Sequence, residues 1–143
     1  MILKQFTLTA TSPASATTAA STMTIGGLRQ YDWFTVDANL SATTTNGTLD
    51  VYLQRYVEKT STWVDWIHFA QIASGATLRV TIDSKETETG PVTVGTGTSP
   101  ALAAGKFSCS HPGDRVRFLF VAGSGTDTAV SNSVTITCHA QSR

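Results

Sequence analysis

The chain has 143 residues, ten basic against ten acidic, and charged residues make up only 14 % of it. That is one ordinary domain, long enough to bury roughly two-thirds of the surface its unfolded chain would expose without a disulfide or metal to hold it. The absence of a basic excess argues against nucleic-acid binding through phosphates, and no apolar run of membrane-spanning length occurs, so neither nucleic acid nor membrane is expected as a partner.

The opening segment resembles an export signal only at first glance. Its apolar run is broken at once by Lys4 and Gln5. It reads instead as a strand from about Leu3 to Ala10, and the mature protein is expected to begin at Met1 and to be made in a cytoplasm. A Ser/Thr/Ala/Pro segment, Thr11 to Ser21, leads to a short second strand near Thr22 to Ile25, punctuated by Gly26 and Gly27. The third strand, Gln30 to Ser41, places Phe34, Val36, Ala38 and Leu40 on one face and Tyr31 and Trp33 on the other. Asn46-Gly47 then predicts a hairpin into the fourth strand, Thr48 to Tyr56.

A polar turn, Glu58 to Thr62, leads to the fifth strand, Trp63 to Ile72, in which Trp63, Asp65, Ile67 and Phe69 alternate against Val64, Trp66, His68 and Ala70. The sixth strand is Thr77 to Asp83. From Ser84 to Gly105, glycines and prolines interrupt all but one short alternation at Val92 and Val94, which predicts an extended loop or arm with a small edge strand. A closing hairpin is expected from Arg115 to Ala122 and from Ala129 to His139. About eight strands and no helix define an all-β, two-sheet antiparallel β-sandwich, jelly-roll-like in connectivity, with an immunoglobulin-like order second. The whole chain, 1–143, is expected to be a single domain.

Large aromatics on both faces of consecutive strands imply that the second face is covered, and association is the expected role. Tyr31, Trp33, Tyr52, Trp63 and Trp66 are the candidate interface residues, together with Arg115 and Arg117 beside them. Tyr56 belongs to the same aromatic set. Exposed rings of this kind also stack on sugars, which keeps glycan recognition open.

No catalytic, cofactor or metal site is expected. His68, His111 and His139 are too far apart in sequence for a ligand motif, and no calcium loop gathers Asp32, Asp37, Asp50 and Asp65. Cys109, His111 and Asp114 lack the signature of a catalytic cysteine and read as a turn. Pairing Ala122 with Ser131 in the closing hairpin puts Cys138 opposite Asp114 or Val116, near Cys109. A Cys109–Cys138 disulfide is then geometrically open, as are two free thiols in a reducing compartment.

The run TLDVYLQRYVEKTSTWVDWIHFAQIASG, Thr48 to Gly75, resembles a segment of small structural proteins of tailed bacteriophages. The shared features are an L-D-V-x-L-Q strand, a polar turn, W-x-D, a phenylalanine and a Gly-ended strand. Here Val57 to Thr60 occupy a turn that is usually glycine-rich. The resemblance implies a non-enzymatic capsid decoration or cement protein on the outer capsid surface of a virion. Its partners would be the major capsid protein and further copies of itself, with a trimer favoured, and the 84–105 arm would reach across to neighbours. The alternative is a carbohydrate- or receptor-binding β-sandwich module of a tail or head fibre.

Overall fold

Period-two alternation of apolar and polar residues commits most of this chain to strands whose inner faces need a second sheet to cover them. The computed structural model describes residues 2–13, 18–41, 43–44, 48–73, 77–83, 93–108, 112–123, 127–128 and 131–139. In chain order the strands are β1 (Ile2–Thr11), β2 (Thr18–Ile25), β3 (Trp33–Ser41), β4 (Thr43–Thr44), β5 (Thr48–Val57), β6 (Thr62–His68), β7 (Ile72–Ala73), β8 (Thr77–Asp83), β9 (Lys106–Phe107), β10 (Val116–Ala122), β11 (Asp127–Thr128) and β12 (Ser131–His139). The helical content among the described residues is one 3-10 turn, Glu58–Thr60, in the β5–β6 connection.

One sheet has the order β1-β12-β3-β8, and the other β2-β10-β5-β6-β9 with β7 paired to β5. The pairings within both sheets are antiparallel. Counting only the eight long strands, the orders become first-eighth-third-sixth and second-seventh-fourth-fifth. That is the double Greek key of a jelly roll. The core between the sheets contains Leu8, Phe34, Val36 and Leu40 from one side and Val51, Leu53, Phe118 and Phe120 from the other, all at most 1 % exposed.

Two expected hairpins are not formed. The strands flanking Asn46-Gly47, β3 and β5, lie in different sheets, as do β10 and β12. Asn-Gly favours a reversal but does not decide whether the returning strand pairs with its predecessor or crosses to the facing sheet. Buried apolar faces on both strands favour the crossing. The β5–β6 hairpin does form, from Tyr52↔His68 to Val57↔Thr62. Because β12 pairs with β1 and β3, Cys138 lies opposite Lys4 and Phe34 in its sheet and is not a ladder partner of Asp114 or Val116. It is a free, buried thiol, and Cys109 lies outside the described residues.

Two aromatics depart from simple alternation. Tyr31 precedes β3 and turns inward, packing edge-on against Phe6 and Phe34. Trp66 is an extra residue in β6, where the register skips from Leu53↔Ile67 to Gln54↔Asp65. This bulge puts both Trp66 and Ile67 in the core and returns Asp65 and His68 to the outer face.

Candidate functional site

The outer faces of the two sheets differ sharply. Across β1, β12, β3 and β8 the outer ranks read Thr7, Thr135, Asp37 and Thr81, then Thr9, Ser133, Asn39 and Arg79. Hydroxyls dominate, and a shallow depression of about 370 Å³ lies over Asp37, Asn39, Arg79, Thr81, Ser133 and Thr135. Trp33 is the large ring on this face. It is half-buried and stacked flat on His139, with centroids 3.5 Å apart.

The other sheet carries Tyr52, Gln54 and Tyr56 from β5, Trp63, Asp65 and His68 from β6, and Arg115, Arg117 and Leu119 from the β10 region. Residues 93–105, described here as the strap, fold back over the middle of this face. The covered face explains why β5 and β6 are apolar on both sides. Leu102 seats its side chain against Tyr52 and Leu119 in a second small core. The described part of the expected arm therefore packs on its own sheet instead of reaching outward, while residues 84–92 lie outside the described residues.

Asp65 organises the strap. Its carboxylate is fully buried and accepts hydrogen bonds from the backbone N–H groups of Gly95 (2.8 Å), Ala101 (2.9 Å) and Leu102 (3.1 Å), and from Gln54 Nε2 (3.0 Å). Converging backbone donors are how a folded chain satisfies a buried carboxylate without a cation against it. A side chain at Gly95 would run into the strap itself, since a Cβ there would lie 2.2 Å from the Ser99 carbonyl oxygen. His68 holds the strap from the other side. Its Nδ1 donates to the Leu102 carbonyl at 2.6 Å, and Nε2 faces Asp50 Oδ1 at 3.1 Å. The Tyr52 ring stacks on the imidazole at 3.8 Å, and burial together with Asp50 and Asp65 pushes its phenol up to about 12.

Beyond the strap the same face ends in an arginine–aromatic cluster. Tyr56 and Trp63 meet edge-to-face at 5.1 Å, Arg115 lies 4.0 Å over the Tyr56 ring, and Arg117 lies 4.5 Å over Trp63. Arg115 also pairs with Glu58 at 3.2 Å. Arg117 donates to Gln54 Oε1 from Nε and Nη2 at 3.1 and 2.9 Å, and to the Gly97 carbonyl at 3.3 Å. Such contacts fix long side chains in advance of any binding, which reduces the ordering cost of an interface.

The seven candidate interface residues thus separate. Trp66 (2 % exposed) and Tyr31 belong to the core, and Tyr52 (7 % exposed) lies under the strap. Trp63, Arg115 and Arg117 come together at the surface, and Trp33 stands on the opposite face. Sequence reasoning did not assign Gln54, Asp65, Gly95 or Leu102 to this site. The available signal was the pair Gly95 and Gly97 beside an isolated leucine, in a stretch otherwise without periodicity. Within the chain, the arrangement fastens the strap and holds the two arginine side chains in place. His68, the most buried of the described imidazoles, has both nitrogens engaged. Comparison of the chain with family models, curated proteins and solved structures finds no match in any of the three.

Proposed function

We propose that this chain is a non-enzymatic structural protein of a bacteriophage virion, attached to the outer capsid surface and bridging neighbouring capsid subunits as a decoration or cement protein. The observation that supports this reading most is the prearranged cluster of Tyr56, Trp63, Arg115 and Arg117 beside the strap. Tyrosine, tryptophan and arginine dominate the energetics of protein interfaces, and here they are clustered and already ordered. With guanidinium groups over the rings, the cluster offers a mixed planar surface suited to another protein more than open ring faces suited to a sugar. A near-zero net charge also lets many copies pack closely. Weak contacts repeated over a shell are enough for such a role.

The hydroxyl-rich face favours a second reading, glycan or receptor recognition. Its depression presents Asp37, Asn39 and Arg79, and Trp33 stands on the same sheet face. Light scattering on the purified protein, followed by pelleting with isolated virions or empty heads, separates the two. A discrete oligomer that co-pellets saturably is expected from the first reading. A monomer left in the supernatant overturns it. Trp63→Ala is expected to reduce pelleting while the protein remains folded. Trp66→Ala, in the core, is expected to cost about 3–5 kcal/mol of stability instead, read from denaturant melts.

A further inference from the structure

The guanidinium groups of the arginine–aromatic cluster carry more donors than the protein uses. Arg117 gives Nε and Nη2 to Gln54 Oε1 and the Gly97 carbonyl, both neutral acceptors, and Arg115 gives Nη2 to Glu58. Arg117 Nη1, Arg115 Nε and Arg115 Nη1 keep N–H groups with no acceptor among the described residues, and none of these atoms is closed off from solvent.

The charge is unbalanced in the same way. Among the described residues the cluster's ion pair is Arg115–Glu58, whose side chains are 41 % and 49 % exposed. A pair so exposed contributes little, so Arg115 exchanges Glu58 for another carboxylate at small cost. Arg117 is half-buried with no carboxylate against it, because Gln54 stands between it and Asp65 and donates Nε2 to Asp65 Oδ1 at 3.0 Å. Burial lowers the pKa of Arg117, as expected of a cation that has lost hydration without gaining a counter-ion. Lys59 adds an exposed cation in the adjoining 3-10 turn, and Asp114 makes no ion pair with the cluster. A local positive excess therefore stands on a chain of zero net charge.

We propose that the cluster is a carboxylate receptor: the partner is an acidic protein surface that sets one carboxylate against the open donors of Arg115 and another against those of Arg117, and packs on Tyr56 and Trp63 beside them. This rests on the reading of the cluster as the attachment surface and names the chemistry it attaches to. Each arginine is already held over its ring, so little ordering cost remains when a carboxylate arrives. A phosphate backbone fits less well. It needs a line of cations, and here Glu58 stands at the rim.

The test titrates the intact ¹⁵N-labelled protein with a short oligoglutamate peptide, with oligoglutamine and a thymidine oligonucleotide as controls. Saturable movement of the Arg115 and Arg117 Nε–H and Trp63 indole signals is expected with oligoglutamate, none with oligoglutamine, and weaker binding of the oligonucleotide. Affinity is expected to fall at least about tenfold between about 50 and about 500 mM salt. Arg115→Gln is expected to weaken binding about fivefold or more. It is the deciding variant, because Arg117→Gln also removes contacts to Gln54 and the strap. No movement with oligoglutamate overturns the proposal, as does affinity unchanged in Arg115→Gln or an oligonucleotide bound as tightly. Pelleting with empty heads keeps the two readings apart. Oligoglutamate binding without pelleting overturns the capsid role and leaves the carboxylate receptor standing, whereas pelleting lost in Trp63→Ala without oligoglutamate binding does the reverse.

Discussion

Single residues in this molecule act through the hydrogen bonds they complete. Asp65→Ala removes the acceptor of three backbone N–H groups from the strap and one side-chain amide. A cost of at least about 3 kcal/mol is expected, because buried donors left unpaired incur their full desolvation penalty. Denaturant melts together with faster amide exchange at Gly95, Ala101 and Leu102 check it. Burial pushes the Cys138 thiol from 9.0 up to about 11 and contributes most to raising Tyr52 from 10.0 to about 12. Both groups hold their protons more tightly when folded. Their contribution is complete below the unfolded values and is lost as pH rises through the folded ones. Stability is therefore expected to fall between about pH 9 and 12, read from melts at constant ionic strength.

At the scale of elements, the strap depends on glycine and the edge strand β2 depends on a serine. Gly95→Ala is expected to displace the strap from Asp65, since its Cβ would meet backbone atoms of Ser99, Pro100 and Ala101 within 2.6 Å. A lost protection pattern at 95–102 with intact protection in β5 and β10 is the expected exchange signature. In β2 the register slips between Thr24↔Arg117 and Ala20↔Leu119, and Ser21 Oγ accepts the Phe118 N–H at 3.1 Å inside that bulge. Ser21→Ala is expected to cost about 1–3 kcal/mol and to loosen the edge, measured by melts. Most strand positions were legible in the sequence because alternation records burial directly, as in Phe34, Val36, Ala38 and Leu40. What covers an outer face was not legible. Tyr52 looks the same in sequence whether a partner or the protein's own Leu102 lies on it. Nor did the sequence reveal the bulge at Trp66, which reassigns two large side chains through one unpaired residue. The two Asn-Gly and Gly-rich connections were read as hairpins because turn chemistry specifies a bend, not the sheet to which the next strand belongs.

For the whole molecule, the double Greek key makes the two ends of the chain interdependent. β12 is an inner strand of its sheet, between β1 and β3, and its register with β1 runs from Ile2↔His139 to Thr11↔Ser131. A chain ending at Gly123 is therefore expected to lose the entire four-stranded sheet and to give no cooperative melt by circular dichroism. The jelly roll itself was legible as a class, since eight evenly spaced amphipathic strands without helices leave few architectures. The arginine–aromatic cluster was only partly so, because Arg115, Arg117, Trp63 and Tyr56 are gathered by strand order across β10, β5 and β6. The position of β12 also has a temporal meaning. During synthesis, β1 and β3 leave the ribosome well before β12, the strand that must slip between them. No product that stops short of β12 can complete this sheet, so β1 and β3 wait unpaired with each other until that strand has been made.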